Sequence, residues 1–321
     1  MPRPNAASPV GNDAPMTTAP SLLYLGDSHV RYFAKAAAFD LLHPYVTDGI
    51  EVGGATAVGM RNPNSKTDAI GRFRKWVVDK DRDSVVVVHL GEVDCGYVIW
   101  YRADRYDEPV EIQMRESIGA YFEFVDELRQ HGFTRIIITG ATLPTITDDD
   151  QLGEVVVARS SIAATMAERT ALTLEYNRLL AQGAVARGLA FVDIAEDVLD
   201  PTTGVVHTKM RNPNPADHHM NVAVAAAYWA RRLTPELGRI TSARERRWTA
   251  TRDTYLKGFP AHSSRIPAEL LVRVSAGEVV VAEKVAAHGD HTIVRNVRFR
   301  DQSHPLIRVL PSRHFTRHAG S

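Results

Sequence analysis

Residues 22–29, Leu-Leu-Tyr-Leu-Gly-Asp-Ser-His, pass from a fully apolar run to a tight polar turn. An apolar run without alternation is typical of a strand that is covered on both faces. The glycine after it favours a sharp strand-to-helix turn, which would expose the hydroxyl of Ser28 and place its N–H at a helix N-terminus. Taken alone, the stretch is explained better if Asp27 or Ser28 only caps the next helix.

Further apolar runs recur along the chain, and helical patterns separate them. Three more buried strands are predicted, at Val85–Val88, Ile136–Ile138 and Leu189–Val192. Apolar residues three and four positions apart predict helices at Met114–Leu128, Arg169–Arg187 and Val222–Leu233, the last of which should end before Pro235. Strands that alternate with helices are typical of an open, mostly parallel α/β sheet with right-handed crossovers. Such sheets place their sites at the carboxyl ends of the strands, where Ser28 lies.

The two ends of the chain differ from this pattern. Residues 1–20 are rich in Pro, Ala and Asn, so we expect a disordered leader there. They lack the apolar core of a secretory signal peptide, so a cytoplasmic location is expected. The α/β domain should span residues 21–240. Residues 241–321 are expected to form a small β-rich appendage with strands near Leu270–Ser275, Glu278–Val285, Thr292–Phe299 and Leu306–Leu310.

Composition excludes several classes of protein. The 321 residues are 44% hydrophobic and include one cysteine, so neither a disordered chain nor a disulfide scaffold fits. No stretch approaches the roughly 18 apolar residues that a membrane-spanning helix needs.

Charge is balanced over the whole chain but not along it. The 38 Lys and Arg match 38 Asp and Glu over the whole chain. Residues 1–240 hold 24 basic and 31 acidic residues and are therefore acidic, whereas residues 241–321 hold 14 basic and 7 acidic residues and are therefore basic. No nucleic-acid partner is expected for the acidic domain. The basic tail is expected to dock on that domain through charge, which high salt should weaken, or to mediate homo-oligomerisation.

Three further polar blocks lie at predicted strand ends or just before the last helix: Gly53-Gly54, Gly91-Glu92-Val93-Asp94 and Asp217-His218-His219-Met220-Asn221. Together with Gly26-Asp27-Ser28, these blocks form an ordered set that resembles the SGNH (GDSL-type) hydrolase family from about Leu22 to Leu233. The resemblance implies a three-layer α/β/α sandwich with a flavodoxin-like, mostly parallel sheet, to which the β-rich C-terminal appendage is added. It also implies a serine that attacks acyl esters.

The resemblance gives roles to individual residues. Ser28 matches the nucleophile of the family and His219 matches its general base, with Asp217 as the acid that orients the histidine. The N–H groups of Ser28 and Gly54 match donors of the oxyanion hole. No cofactor and no metal ion are implied.

Two positions depart from the pattern of the family. The acid usually lies three residues before the histidine, where this chain has Ala216, so Asp217 has to reach His219 from two residues away. The alternative role of Asp217 is to cap the following helix. We also expect Asp94 to take the place of the Asn that donates to the oxyanion. A carboxyl group donates only when it is protonated, which an apolar site or the neighbouring Glu92 would favour.

The expected activity is hydrolysis of an acyl ester on a small molecule or carbohydrate, through an acyl-Ser28 intermediate. The alternatives are an acyltransferase that uses the same residues and an SGNH fold that only binds a ligand, because Ala216 and Asp94 weaken the hydrolytic pattern. A third alternative is that the chain is an assembly scaffold without catalytic activity. Six further residues are expected to contact the substrate: Asp27, His29, Glu92, Arg61, Arg211 and His218.

One pentapeptide, Met-Arg-Asn-Pro-Asn, occurs twice, at Met60–Asn64 and at Met210–Asn214. Its Pro and Asn place both copies in turns. One interpretation is coincidence between two turns. The other is that Arg61 and Arg211 approach the same anionic substrate.

Three weaker signals have simple explanations. Cys95 is expected to be an inert, buried thiol. The acidic run Asp148–Asp150 is expected to be a solvated loop rather than a cation site. The side chains of residues 217–219 suit zinc, but the sequence shows no convincing third and fourth ligands elsewhere.

Overall fold

Five parallel strands form the central sheet of the N-terminal unit in the computed structural model, which describes residues 20–149, 161–214, 216–237 and 245–317. The strands are β1 (Ser21–Gly26), β2 (Val46–Glu51), β3 (Val85–His89), β4 (Arg135–Thr139) and β5 (Ala190–Val192). Their order is β2-β1-β3-β4-β5, which is the flavodoxin-like order, so the predicted sheet is confirmed. The leader expected at residues 1–20 lies, apart from Pro20, outside the described residues.

Helices cover both faces of this sheet. They are α1 (Arg31–Ala38), α2 (Ala69–Val77), α3 (Ile99–Tyr106), α4 (Val110–Gln130), α5 (Met166–Ala186), α6 (Ala195–Val198) and α7 (Val222–Leu237). Leu22 and Val87 pack with α1 and α7, whereas Leu23 and Val88 pack with α2, α4 and α5 on the other face. The central strands β1, β3 and β4 are continuously apolar because each face is covered, whereas the edge strand β2 is polar and partly exposed. The predicted α/β/α sandwich is confirmed.

Helix α7 departs from its predicted end. It continues to Leu237, with Pro235 inside its last turn. A proline this close to the end removes one backbone hydrogen bond but leaves no long segment to distort, so the helix passes through it. Among the helices of the described ranges, none is long and apolar enough to cross a membrane.

An antiparallel sheet forms the C-terminal unit. Its strands are β6 (Glu245–Ala250), β7 (Thr254–Lys257), β8 (Leu271–Val274), β9 (Val279–His288), β10 (His291–Phe299), β11 (Gln302–Ser303), β12 (Val309–Pro311) and β13 (Phe315–Arg317). Their order is β13-β6-β9-β10-β12-β7-β8, with β11 beside β10. The predicted β-rich appendage is confirmed. The sequence did not predict β6, β7, β11 and β13, which are short and contain charged or polar residues.

The two units meet through an apolar contact. The ring of Phe259 stacks on that of Phe39, with centroids 5.4 Å apart. Phe259 and Ile293 belong to the same hydrophobic cluster as α1 and α7. An ion pair of 3.1 Å between Asp40 and His288, both about 40% exposed, lies at the edge of the contact. The contact is therefore apolar at its centre, whereas the sequence suggested charge as the cause of docking. Homo-oligomerisation stays a prediction.

Candidate active site

The turn after β1 places Ser28 at the carboxyl edge of the sheet. Gly26 is required there, because a Cβ at this position would lie 1.8 Å from the carbonyl oxygen of His89 on β3. Asp27 caps the short 3-10 turn that leads into α1, since its carboxylate accepts a hydrogen bond of 2.8 Å from the N–H of His29. Because Asp27 provides the cap, the hydroxyl of Ser28 is left for chemistry.

Ser28, His219 and Asp217 form a continuous chain of hydrogen bonds. Ser28 Oγ lies 2.8 Å from His219 Nε2, and His219 Nδ1 lies 2.6 Å from Asp217 Oδ1. Ser28 and His219 are both buried, although they are far apart in the sequence. A hydroxyl that donates to an imidazole held by a carboxylate is the arrangement that turns serine into a nucleophile.

The two-residue spacing between Asp217 and His219 works because the turn is tight. Asp217 Oδ1 accepts the backbone N–H of His219 at 3.0 Å as well as its ring N–H. Asp27 and His29 repeat this geometry, with contacts of 2.8 Å to the backbone N and 2.9 Å to Nδ1. An Asx turn thus brings a carboxylate onto a ring two residues later, so Ala216 in the usual acid position is no obstacle.

Side chains that the sequence did not single out hold these residues in place. Asn212 donates from Nδ2 to Asp217 Oδ2 at 2.9 Å, so both oxygens of the carboxylate are fixed. Arg31 Nε donates to the carbonyl of Ser28 at 2.8 Å, and its Nη2 pairs with Glu51 at 3.0 Å. The nearness of Asn212 to Asp217 in the sequence was an available signal, whereas nothing in the sequence pointed to Arg31.

Burial controls the protonation of the site. Burial, together with the nearby His29, lowers the pKa of His219 to about 4, so its ring is neutral at neutral pH and can accept a proton. Burial raises the pKa of Asp217, but hydrogen bonds from His219 outweigh it and leave that pKa below its usual value. Burial raises the pKa of Asp27 to about 6. Asp217 is therefore the more strongly acidic of the two carboxyl groups.

The loop after β2 carries the second expected N–H donor. Parallel pairing sets Glu51 opposite Gly26, and the N–H of Val52 donates to the carbonyl of Gly26 at 2.9 Å. The next turn puts Gly54 in the left-handed region, at φ +72°, which favours glycine. Gly54 therefore lies at the same sheet edge as Ser28. Its role as an oxyanion donor stays a prediction.

Asp94 does not take the donor role expected of it. Its buried carboxylate accepts the N–H of Ala57 at 2.7 Å, the N–H of Val58 at 3.1 Å and the hydroxyl of Ser117 at 2.7 Å. In the family block Gly-x-Asn-Asp the donor Asn is the third residue, whereas Asp94 is the fourth residue counted from Gly91. Burial raises its pKa against the opposing effect of these hydrogen bonds. Both oxygens of this carboxyl group accept hydrogen bonds from the protein, so Asp94 fixes the loop that follows Gly54 and is not positioned as a donor to an oxyanion.

Four of the residues expected to contact the substrate lie beside His219. The ring of His29 is 4.6 Å from that of His219 between centroids, and the ring of His218 is 4.0 Å from it. His29 Nε2 lies 3.8 Å from Glu92 Oε2. Arg211 pairs through its backbone with the residue after His219. Their contact with a substrate stays a prediction, as does that of Asp27.

The two copies of the pentapeptide form the same turn in different places. In each copy, the N–H of the second Asn donates to the side chain of the first, at 2.9 Å for Asn62 and 3.0 Å for Asn212. Met60 is buried in the cluster beside α4, and Met210 in the cluster beside α7. The two copies therefore lie on opposite faces of the sheet, and their shared sequence encodes a shared turn.

Arg61 does not approach the site. Its guanidinium pairs with Glu116 at 2.6 Å and with Glu123 at 2.7 Å, both on α4. These ion pairs hold Arg61 against α4, on the face of the sheet opposite to the turn that carries Arg211. The two turns pack against different helices, so the structure gives no support to the hypothesis that both arginines bind one anion, and that hypothesis stays a prediction.

The remaining weaker signals have structural roles. Cys95 is buried, and burial raises the pKa of its thiol well above the usual value, as expected of an inert thiol. Asp148 Oδ1 accepts the N–H of Met166 at 2.6 Å, at the start of α5. It thus contributes to the fold of its loop, and Asp150 lies outside the described residues.

No protein-family model matches the chain, and no curated protein matches it. Several solved structures do. A candidate acylhydrolase from Bacteroides fragilis is 18% identical, with 67% of this chain and 85% of that chain covered and a TM-score of 0.43. A candidate SGNH hydrolase from Slackia heliotrinireducens is 16% identical, with coverages of 68% and 100% and a TM-score of 0.43. A GDSL-like lipase from Bacteroides thetaiotaomicron is 14% identical, with coverages of 67% and 86% and a TM-score of 0.42. These are the structures that the chain is similar to, whereas the chemistry of its site rests on the geometry of Ser28, His219 and Asp217.

Proposed function

We propose that this chain is a serine-dependent acyl-ester hydrolase of SGNH type that acts on an ester of a small molecule or carbohydrate. The hydrogen-bond chain from Ser28 through His219 to Asp217 is the observation that supports this most directly. Ser28 follows the first strand, and Asp217 and His219 lie in the turn before the last helix of the α/β unit, so the fold brings these three residues together. Such a chain is typical of acyl transfer through a serine ester.

Acylation would begin when Ser28 Oγ attacks the carbonyl carbon of the ester. The proton of Oγ moves to His219 Nε2, and Asp217 stabilises the imidazolium that forms. The carbonyl oxygen becomes an oxyanion, with the N–H groups of Ser28 and Gly54 as its donors. When the carbonyl re-forms, the bond to the leaving alcohol breaks, and the alcohol takes the proton from Nε2.

Deacylation would repeat these steps with water. His219 Nε2 takes a proton from the water as its oxygen attacks the acyl carbon, and then returns a proton to Ser28 Oγ as the acyl bond breaks. An acceptor hydroxyl in place of water would give acyl transfer with the same residues. The products therefore distinguish a hydrolase from a transferase, and the residues of the site do not.

A fluorophosphonate probe tests the proposal. We expect intact-mass and peptide analysis to find one adduct, on Ser28, in the wild type and in the matched variant Ser65→Ala, and none in Ser28→Ala. Hydrolysis of a short aryl ester should fall by about 10³-fold or more in Ser28→Ala and in His219→Ala, because each removes a member of the triad. A folded wild type that takes no label and cleaves no ester would overturn the proposal in favour of a ligand-binding role.

A further inference from the structure

Two Asp–His pairs of the same geometry face each other in the site. In each pair the carboxylate accepts a hydrogen bond from Nδ1 of the histidine, at 2.9 Å for Asp27 with His29 and 2.6 Å for Asp217 with His219. With Nδ1 engaged, each ring carries its remaining coordinating atom, Nε2, on the side away from its carboxylate. A histidine held by a carboxylate through one nitrogen is the usual form of a metal-binding imidazole.

A third histidine completes a cluster of ligand atoms. Ring nitrogens of His29, His218 and His219 all lie within 4.8 Å of one another. Nitrogen ligands of one tetrahedral zinc ion are about 3.3 Å apart at the usual Zn–N distance, so the rings would have to draw closer together to bind one. The sequence suggested zinc at residues 217–219 but showed no further ligands. The fold adds His29, which lies in the 3-10 turn that leads into α1.

A carboxylate lies beside His29, one of the three rings. Glu92 Oε2 is 3.8 Å from His29 Nε2, and Glu92 is almost fully buried. Asp27 Oδ2 is also buried and has no hydrogen-bond partner among the described residues. Two buried carboxyl groups beside three imidazoles offer the negative charge that a divalent cation would balance. Nitrogen ligands favour zinc over calcium or magnesium, which prefer oxygen.

We propose that His29, His218 and His219 form a reversible zinc site that blocks the nucleophile, with Glu92 or water as the fourth ligand. His219 Nε2 now accepts the hydrogen bond of Ser28, and one lone pair cannot serve both Ser28 and a metal ion. Zinc binding would therefore break the contact between Ser28 and His219 and stop the transfer of the proton. The inhibitory part rests on the proposed function, whereas the binding part does not.

Binding is tested on the full chain with zinc by titration calorimetry and with cobalt by visible absorption. We expect one equivalent of zinc and a tetrahedral cobalt spectrum. Affinity should fall at least tenfold in His29→Gln and in His218→Ala, and should be unchanged in His131→Ala, a half-exposed histidine at the end of α4. Two variants are used so that one misfolded protein does not decide the result. Absence of stoichiometric binding, an octahedral spectrum, or full affinity in both folded variants would overturn the site.

Labelling of Ser28 tests the inhibition separately. Saturating zinc should suppress the fluorophosphonate adduct, and a chelator should restore it in full. If bound zinc leaves labelling unchanged, the inhibitory role is wrong even where the site exists. If the zinc-free protein takes no label, the proposed hydrolase fails instead, while calorimetry still decides whether zinc binds.

Discussion

At the scale of single residues, two asparagines show what a repeated motif does and does not specify. Asn62 and Asn212 each open the same Asx turn, so the local conformation follows from the pentapeptide itself. Only Asn212 also contacts Asp217. That contact depends on which helix and strand each turn lies beside, so the sequence could predict both turns but could not say which of them touches the site.

This difference predicts unequal effects of one substitution. Asn212→Ala should lower kcat for ester hydrolysis by about tenfold with little change in KM, because Asp217 loses the donor that fixes its second oxygen and the ring of His219 loses its orientation. Asn62→Ala removes the matching turn contact on the other face of the sheet and should leave kcat unchanged. Steady-state kinetics of both variants provide the comparison. Equal losses would show that the contact with Asp217 has no catalytic effect.

Asp94 illustrates a residue whose position was predicted and whose role was not. The sequence placed it after β3 at the site, but the choice between donor and acceptor depends on which groups the fold aims at its carboxylate. Three donors face it, from Ala57, Val58 and Ser117. A carboxylate is the acceptor that such a set requires.

Removal of this acceptor should destabilise the protein. Asp94→Ala leaves three donors without their acceptor, two of them backbone N–H groups, and should lower the free energy of unfolding by about 2–4 kcal/mol. Ser117→Ala removes only one donor and should cost about 1–2 kcal/mol. Urea unfolding of both variants measures the difference. A loss in Asp94→Ala no larger than that in Ser117→Ala would show that the loop does not depend on this carboxylate.

At the scale of elements, the end of β1 shows why a short motif could place the site. The apolar run predicted a buried strand, and the glycine after it predicted a sharp turn. Both hold, because the backbone of β1 comes so close to β3 at Gly26 that no side chain fits. Helix ends were less predictable, as α7 shows, since one proline near a helix end leaves the preceding turns intact.

A methyl group at position 26 should therefore destabilise the protein. Gly26→Ala would put a Cβ 1.8 Å from the carbonyl oxygen of His89, so β1 and β3 have to separate beneath Ser28. We expect a loss of about 1–3 kcal/mol in the free energy of unfolding, as is typical of overpacking. Gly53→Ala is the matched control, since a Cβ there meets nothing within 4 Å. Thermal melting of both variants provides the test, and equal midpoints would contradict the close approach.

At the scale of the whole molecule, the sequence predicted two units and an attraction between their opposite charges, but it did not predict the apolar contact between them. The parallel sheet was predictable because four of its five strands lie in apolar runs, whereas β2 at its edge is polar and partly exposed. Four strands of the C-terminal sheet were not, because they are short and pairs such as β13 with β6 join segments about 65 residues apart. The charge imbalance between the units suggested attraction across their interface. The contact instead buries aromatic and aliphatic side chains, which total charge cannot reveal.

The chemistry of that contact predicts how the C-terminal unit can be released. Phe259→Ala removes a ring that is 3% exposed and stacked on Phe39, which should cost about 3–5 kcal/mol and expose the C-terminal sheet to protease. Tyr255→Ala, at a residue that is 39% exposed in the same unit, should leave the digestion pattern unchanged. Molar salt should also have little effect on the wild type, because screening acts on ion pairs such as Asp40 with His288, whose exposed contacts are worth about 1 kcal/mol or less. Limited proteolysis followed by mass spectrometry separates the two causes. Release by salt in the wild type, without release in Phe259→Ala, would mean that charge rather than apolar packing holds the units together.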